Sequence, residues 1–276
     1  VGRLVVDELL RAGVPVRALT RRPDQAALPA GAEVVIGDLT VPESLDAALD
    51  GASAAFLVWT APIATAAAVV AQLEAPTSGQ RRRVVYLSSP HQTPHPFFQQ
   101  PNSLRGLHAE VERLLTVAAV DAVVLRPGMF ASNALHWWAS QIRDGDMVRW
   151  PYAAAETAPI DERDIAAVAT RALLDDRHVG GDYVLTGPES LSQAAQVRTI
   201  GDAIGRALRF EELSPDEFRR ETAGTWPAAI ADMLLAAWQA TLGHRAFVTS
   251  AVQDIVGSPA RTFYQWAADN AAAFAR

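Results

Sequence analysis

Apolar and polar positions change period several times along the chain, and the changes mark out alternating helices and strands. Leu4, Val5, Leu9 and Ala12 recur at helical spacing with Arg3, Asp7, Glu8 and Arg11 between them. Residues 2–12 therefore read as an amphipathic helix that Gly13 ends as a C-cap. VPVRALT (14–20) and AEVVI (32–36) follow as strands. Short apolar runs at 54–58, 83–87 and 122–125 suit parallel strands buried on both faces, with helices expected over 43–49, 63–73 and 103–118. The polar stretch 76–83 reads as a solvated loop. The proline-rich stretch 90–101 reads as too irregular for a core element and as a lid over a pocket.

Beyond residue 128 the pattern becomes mainly helical, over 131–142, 165–174 and 194–206. Further helices open at Pro215 and at Trp226-Pro227, and a last one covers 261–274. Asp161 suits the N-cap of the helix at 165, and Asp164 suits its first turn as a structural acid. Strand-like stretches at 147–152, 182–185 and 208–213 interrupt the helices. The fold class expected is α/β, a Rossmann-type doubly wound parallel sheet with a smaller, mainly helical C-terminal substrate lobe. Its nucleotide-binding part covers 1–128. A mixed cap covers 129–276, with 159–186 returning to the sheet.

The pattern opens on a helical turn with no strand before it. A parallel βαβ unit needs that strand beside 14–20, whose ladder would otherwise stay unpaired. The expectation is that the chain begins about ten residues late, the length of one strand and a short loop.

Composition narrows the classes. The chain has 276 residues, half of them hydrophobic, which is enough for a large core with a second lobe. A net charge of −7 argues against a nucleic-acid partner. There is no cysteine, no apolar run of membrane-spanning length and no metal-ligand spacing among the six histidines. A cytoplasmic protein with a small-molecule substrate and no metal, nucleic acid or membrane partner fits these features, with homodimer formation left open.

Ligands of open α/β sheets bind at the carboxyl ends of the strands, and the candidate chemistry sits there. Gly2, at the start of the first helix, permits close approach of a pyrophosphate, or is an ordinary N-terminal glycine. About twenty residues later, where a dinucleotide fold places an acid for the NAD ribose, stand Arg21 and Arg22. A guanidinium fork suits a 2′-phosphate, which favours NADP; the alternative is a solvated basic turn. Asp38 can accept from an adenine amino group, form an Asx-turn, or both. Ser88 can donate to a substrate carbonyl or cap a turn. Trp137 and Trp138 point about 100° apart on their helix, so one can face the core and the other a pocket.

The stretches GRLVVDELLRAGVPVRALTRRP, GDLTVPESLDAAL, VVYLSS, HAEVERLL, VVLRPGMFASNAL, PIDERDIAAVA and YVLTGPESLS, in this order over roughly residues 1–190, resemble the NmrA-like family. This is a branch of the atypical short-chain dehydrogenase/reductase superfamily that holds triphenylmethane reductase and NAD(P)H:quinone reductase type proteins. The resemblance makes Gly2 the third glycine of a GxxGxxG loop whose first two glycines precede this chain. It implies that Arg21 contacts the 2′-phosphate, that Asp38 and Leu39 flank the adenine, and that Trp59 and Thr60 run along the cofactor. It also implies that Ser88 lies near the nicotinamide, with Pro127, Gly128 and Phe130 as a wall beside it. His91, Phe97, Met129, Trp137 and Trp138 are the substrate-contact candidates. The chain departs from the superfamily's YxxxK motif, with Leu104 and His108 where the tyrosine and lysine would fall. His108 can bind the nicotinamide ribose, act as an acid near neutral pH, or pack as an ordinary helix residue.

Three functions follow as expectations. One is an NADP-dependent oxidoreductase, preferring NADPH to NADH, that reduces a small apolar conjugated acceptor such as a quinone, imine, enone or dye-like compound. The second is a non-catalytic NADP-binding redox sensor. The third is a non-redox enzyme on the same fold.

Overall fold

The computed structural model describes residues 1–75, 79–100 and 103–275, so Pro76 to Ser78 of the expected polar loop and Pro101 of the expected lid lie outside the described residues. The first half alternates α1 (Gly2–Arg11), β1 (Arg17–Thr20), β2 (Glu33–Ile36), α2 (Asp46–Leu49), β3 (Ala54–Val58), α3 (Ala66–Glu74) and β4 (Arg83–Leu87). A short α4 (Pro96–Gln99) precedes α5 (Ser103–Val117) and β5 (Asp121–Pro127). Then come α6 (Asn133–Asp144), β6 (Met147–Pro151), β7 (Glu156–Thr157), α7 (Glu162–Leu174), β8 (Asp182–Leu185) and β9 (Leu191–Ser192). The chain finishes with α8 (Gln193–Ile204), β10 (Arg209–Leu213), α9 (Pro215–Thr222), α10 (Ala228–Thr241), α11 (Ala251–Val256) and α12 (Phe263–Asp269).

Two compact units share these elements. The first holds Val1–Ser89, Ser103–Arg126 and Ile165–Tyr183; the second holds Pro90–Asn102, Pro127–Asp164 and Val184–Arg276. In the first unit β1 and β2 pair in parallel, as do β3, β4 and β5, with β8 beside β5. This is an α/β Rossmann-like fold. No pairing joins β1 to β3 among the described residues, and Leu19, Val34, Ile36 (67%) and Val58 are exposed there. By contrast β4 is buried along four of its five residues. The core of the unit packs α3 and α5 against the sheet through Val69, Val70, Leu73, Val111 and Leu115, under Val84 and Tyr86. Gly37 ends β2 in a tight bend where a Cβ would stand 2.5 Å from a Leu19 methyl and 2.8 Å from the Ser44 carbonyl oxygen.

The second unit is built round an aromatic core. Trp138 of α6 is fully buried against Trp150 of β6, Trp238 of α10 and Phe218 of α9. Trp137 stacks on Trp150 at 5.8 Å and meets Trp238 edge-on at 5.4 Å. Neither Trp137 nor Trp138 is among the residues that line the cleft described below. Two aromatic neighbours on one helix can both be core when partners surround the helix on two sides. The stretch 90–100 also departs from expectation: His91, Thr93 and His95 are buried. Backbone turns and the Gln99 side chain, which donates to the Thr93 carbonyl at 2.6 Å, supply the order that periodicity did not reveal. The last helix is shorter than the pattern suggested, and α11, β7 and β9 were not foreseen; two-residue strands and a six-residue helix carry too few positions for a period to register.

A network of acids and arginines fastens the start of α7 to the C-terminal segment. Asp161, 3% exposed, caps α7 by accepting from the Arg163 amide at 2.9 Å and also accepts from Arg261 Nε at 2.7 Å. Asp164 accepts from the Arg261 amide at 2.8 Å. Burial, with a smaller push from the Asp161 charge, raises the Asp164 carboxyl to about 6; the Arg261 hydrogen bond opposes this. A folded pKa above the unfolded value means the ionised form destabilises the fold. The contribution of Asp164 to stability is therefore fully present below about pH 4 and is lost as pH rises through about 6. Asp164→Asn is expected to raise stability on the order of 2 kcal/mol at pH 8 and to flatten the pH dependence between 4 and 6. Urea unfolding across that range checks it, and an unchanged slope would refute the assignment.

Candidate functional site

The carboxyl ends of the first unit's strands carry most of the predicted cofactor residues. Arg21 and Arg22 follow β1 directly; both are exposed, and neither guanidinium has a hydrogen bond or ion pair among the described residues. After β2, Asp38 forms an Asx-turn, accepting from the Thr40 amide at 2.8 Å. That hydrogen bond, with the Thr40 hydroxyl and then Arg21, holds its carboxyl below the usual range. Leu39 is half-buried against the core, Thr60 is exposed, and Gly2 stands in the first turn of α1 with open space where a Cβ would be. Trp59 is buried at the end of β3, and its indole N–H has no acceptor among the described residues.

These features fit a dinucleotide. Two unpaired cations stand in an acidic chain where a 2′-phosphate would lie, and an orphaned donor stands at the next strand end. Bound there, the nicotinamide coenzyme supplies hydride chemistry that no side chain can.

Ser88 sits elsewhere in the chemistry than expected. Its hydroxyl donates to Glu112 of α5, 7% exposed. Glu112 makes a bidentate pair with Arg126 of β5, 5% exposed, at 2.6 and 3.1 Å. Arg126 also donates to Asp182 of β8. Ser88 is thus an arm of a buried ionic network. A hydroxyl beside a buried carboxylate is held by the strongest acceptor in reach. His108, one turn before Glu112, shares a 2.7 Å hydrogen bond through Nδ1 with the hydroxyl of Tyr86, which is fully buried on β4. Burial, then the Glu112 charge, pushes the Tyr86 phenol up, so it stays protonated. A neutral phenol can donate to Nδ1 and leave the ring proton on Nε2. Leu104, where the superfamily has its tyrosine, is exposed.

The remaining predicted residues belong to the second unit. There Phe97, Phe98, Gly128, Met129 and Phe247 line a shallow, solvent-open cleft with His95, Glu156, Thr157, Ala158, Thr186 and Ala246, with a cavity volume of about 10 Å³. Pro127 is buried and Phe130 is half-buried, bridged to Ile160. His91 is buried and is not among the residues that line this cleft.

Sequence reasoning missed Tyr86, Glu112, Arg126, Asp182 and Glu156. A charged residue inside an apolar strand, as Arg126 is, signals a buried partner. Glu112 lies four residues beyond His108, on the same face of the helix. Glu156 carried no such signal.

The fold and this strand edge define a dinucleotide-binding protein. A family model described as NAD(P)H-binding matches residues 1–176, and the chain belongs to that family. The (4-alkanoyl-5-oxo-2,5-dihydrofuran-3-yl)methyl phosphate reductase of Streptomyces griseus subsp. griseus is 36% identical over 277 residues, covering 100% of this chain and 96% of that protein. The NAD(P)H azoreductase of Xenophilus azovorans is 29% identical over 278 residues, covering 99% and 96%. The NADPH complex of the Escherichia coli NADPH-dependent quinone oxidoreductase superposes with a TM-score of 0.80 at 22% identity, covering 97% of this chain and 95% of that one. The NADP(H) complex of the Citrobacter sp. triphenylmethane reductase gives 0.80 at 18%, covering 98% and 96%. These two structures share the fold.

Glu112→Gln leaves the Arg126 guanidinium buried against a weakened partner, and the expected loss of stability is on the order of 3 kcal/mol by chemical denaturation. Glu110→Gln, which breaks the solvent-exposed pair with Arg113, is the control and should change little. Equal effects of the two would refute a structural role for the buried pair.

Proposed function

We propose that this chain is an NADPH-dependent oxidoreductase that passes hydride to a small, flat, conjugated acceptor. The observation that carries the reading is the pair of exposed, unpaired guanidinium groups of Arg21 and Arg22 at the end of β1. They replace the acid that would select NAD, so NADPH is the preferred coenzyme. Asp38, pinned by its own turn, would face the adenosine, and Trp59 would donate its indole N–H along the dinucleotide. His108, oriented by the Tyr86 hydroxyl, would present Nε2–H to a ribose hydroxyl in place of the missing lysine.

The acceptor's place is the cleft of the second unit. Phe97, Phe98, Met129 and Phe247 exclude water from a flat ring and hold it in position. The names of two relatives support a conjugated acceptor, one an unsaturated lactone bearing an alkanoyl group and a methyl phosphate and the other an azo compound. In acceptors of this kind the electron pair of the adding hydride ends on an electronegative atom, which takes its proton from water. No dedicated side-chain acid is then required, in keeping with Leu104 where a tyrosine would stand. That same leucine favours the second reading, a redox sensor that binds NADPH without turnover.

Two measurements test this. NADPH oxidation against a panel of quinones, enones, imines and dye-like compounds should show turnover with at least one class. Tight NADPH binding with no turnover across the panel would establish the sensor instead. Arg21→Asp should weaken NADPH binding by about tenfold or more by calorimetry while changing NADH little; equal losses would remove Arg21 from the phosphate site.

A further inference from the structure

We propose that the cleft of the second unit selects acceptors carrying a hydrogen-bond donor or a positive charge, and that Glu156 is the residue that reads this group. The inference rests on the cleft being the acceptor site. Its walls are mainly apolar, and most of its polar side-chain atoms are already committed. His95 accepts from the Phe97 amide at Nδ1, at 3.3 Å, which places the ring proton on Nε2 for donation to the Arg245 carbonyl at 2.9 Å. Thr186 donates to the Gly187 carbonyl and accepts from the Thr249 amide. Thr157 Oγ1 accepts from Gln196 at 2.9 Å.

Glu156 is different. The Ser190 hydroxyl donates to its Oε2, and Arg245, 82% exposed, stands 3.8 Å from that same oxygen. Oε1 has no protein donor among the described residues. The carboxylate is also held in place. β7 pairs antiparallel with β9, setting Glu156 opposite Ser192, and the Ser190 oxygen that donates to Glu156 accepts in turn from the Ala246 amide at 2.7 Å. A fixed carboxylate with an open oxygen beside aromatic walls offers an acceptor to an N–H, O–H or ammonium group, with Arg245 sharing the charge of its other oxygen.

A matched set of naphthoquinones bearing methyl, aminomethyl or sulfonate groups, with NADPH as reductant, tests the claim. The expected result is a kcat/KM for the aminomethyl compound about tenfold or more above that for the sulfonate, carried mainly by KM. Glu156→Gln, close to isosteric, should collapse that preference. A wild type that does not discriminate, or a Glu156→Gln variant that discriminates as before, overturns the proposal. Calorimetric titration of the NADPH-saturated protein with naphthylmethylammonium and with naphthalenesulfonate gives a readout that needs no turnover. Selective ammonium binding lost in Glu156→Gln supports the site even if no quinone is reduced, a result that would count against the reductase reading alone. Equal binding of the two ions, or binding of neither, overturns the site itself.

Discussion

The buried pair of Glu112 and Arg126 is the constraint round which the first unit is arranged. Two opposite charges, both almost wholly removed from water, lock α5 to β5, while Ser88 at the end of β4 and Asp182 at the start of β8 occupy further hydrogen-bonding positions. Desolvation makes such a pair a weak source of net stability, but it leaves few alternatives. Rotating α5 by one residue would strand a buried guanidinium. The network therefore sets the register of the helix against the sheet. Because His108 lies one turn before Glu112, it also sets which way the imidazole faces.

The same logic extends to Tyr86 and His108. A phenol buried on a central strand needs a hydrogen-bond partner, and burial, then the nearby Glu112 charge, keeps it from ionising. The histidine nitrogen that meets it is thereby assigned. The strand ends tell the opposite story. Arg21 and Arg22 are exposed, and neither guanidinium has a hydrogen bond or ion pair among the described residues.

In the second unit, stability and recognition are separated in space. The tryptophan cluster of α6, β6 and α10 takes up the largest side chains, and the cleft is left to phenylalanines, small residues and one carboxylate. Of the aromatic residues singled out along the chain, Phe97 lines the cleft and the two tryptophans of α6 do not. Trp137 and Trp138 are conspicuous in the chain, yet both pack into the aromatic cluster, Trp137 on Trp150 and Trp238 and Trp138 on Trp150. Phe98 and Phe247, far less conspicuous, line the cleft.

The chain by itself determined what depends on local order. The apolar period set α1, β3, β4 and β8 nearly to the residue, and the carboxyl ends of the strands pointed to Arg21, Arg22 and Asp38, since position relative to a strand end is a one-dimensional property. Tertiary structure alone decided everything that depends on pairing across distance. Along the chain Ser88 can be a carbonyl donor or a turn cap, and nothing marks Glu156; the structure places Glu112 within reach of the one and holds the other through Ser190, itself fixed by Ala246. The physical reason is that a buried polar atom takes its role from whichever group satisfies it. That group stands 24 residues away for Ser88 and 34 for Glu156, beyond the range of any helix or strand period.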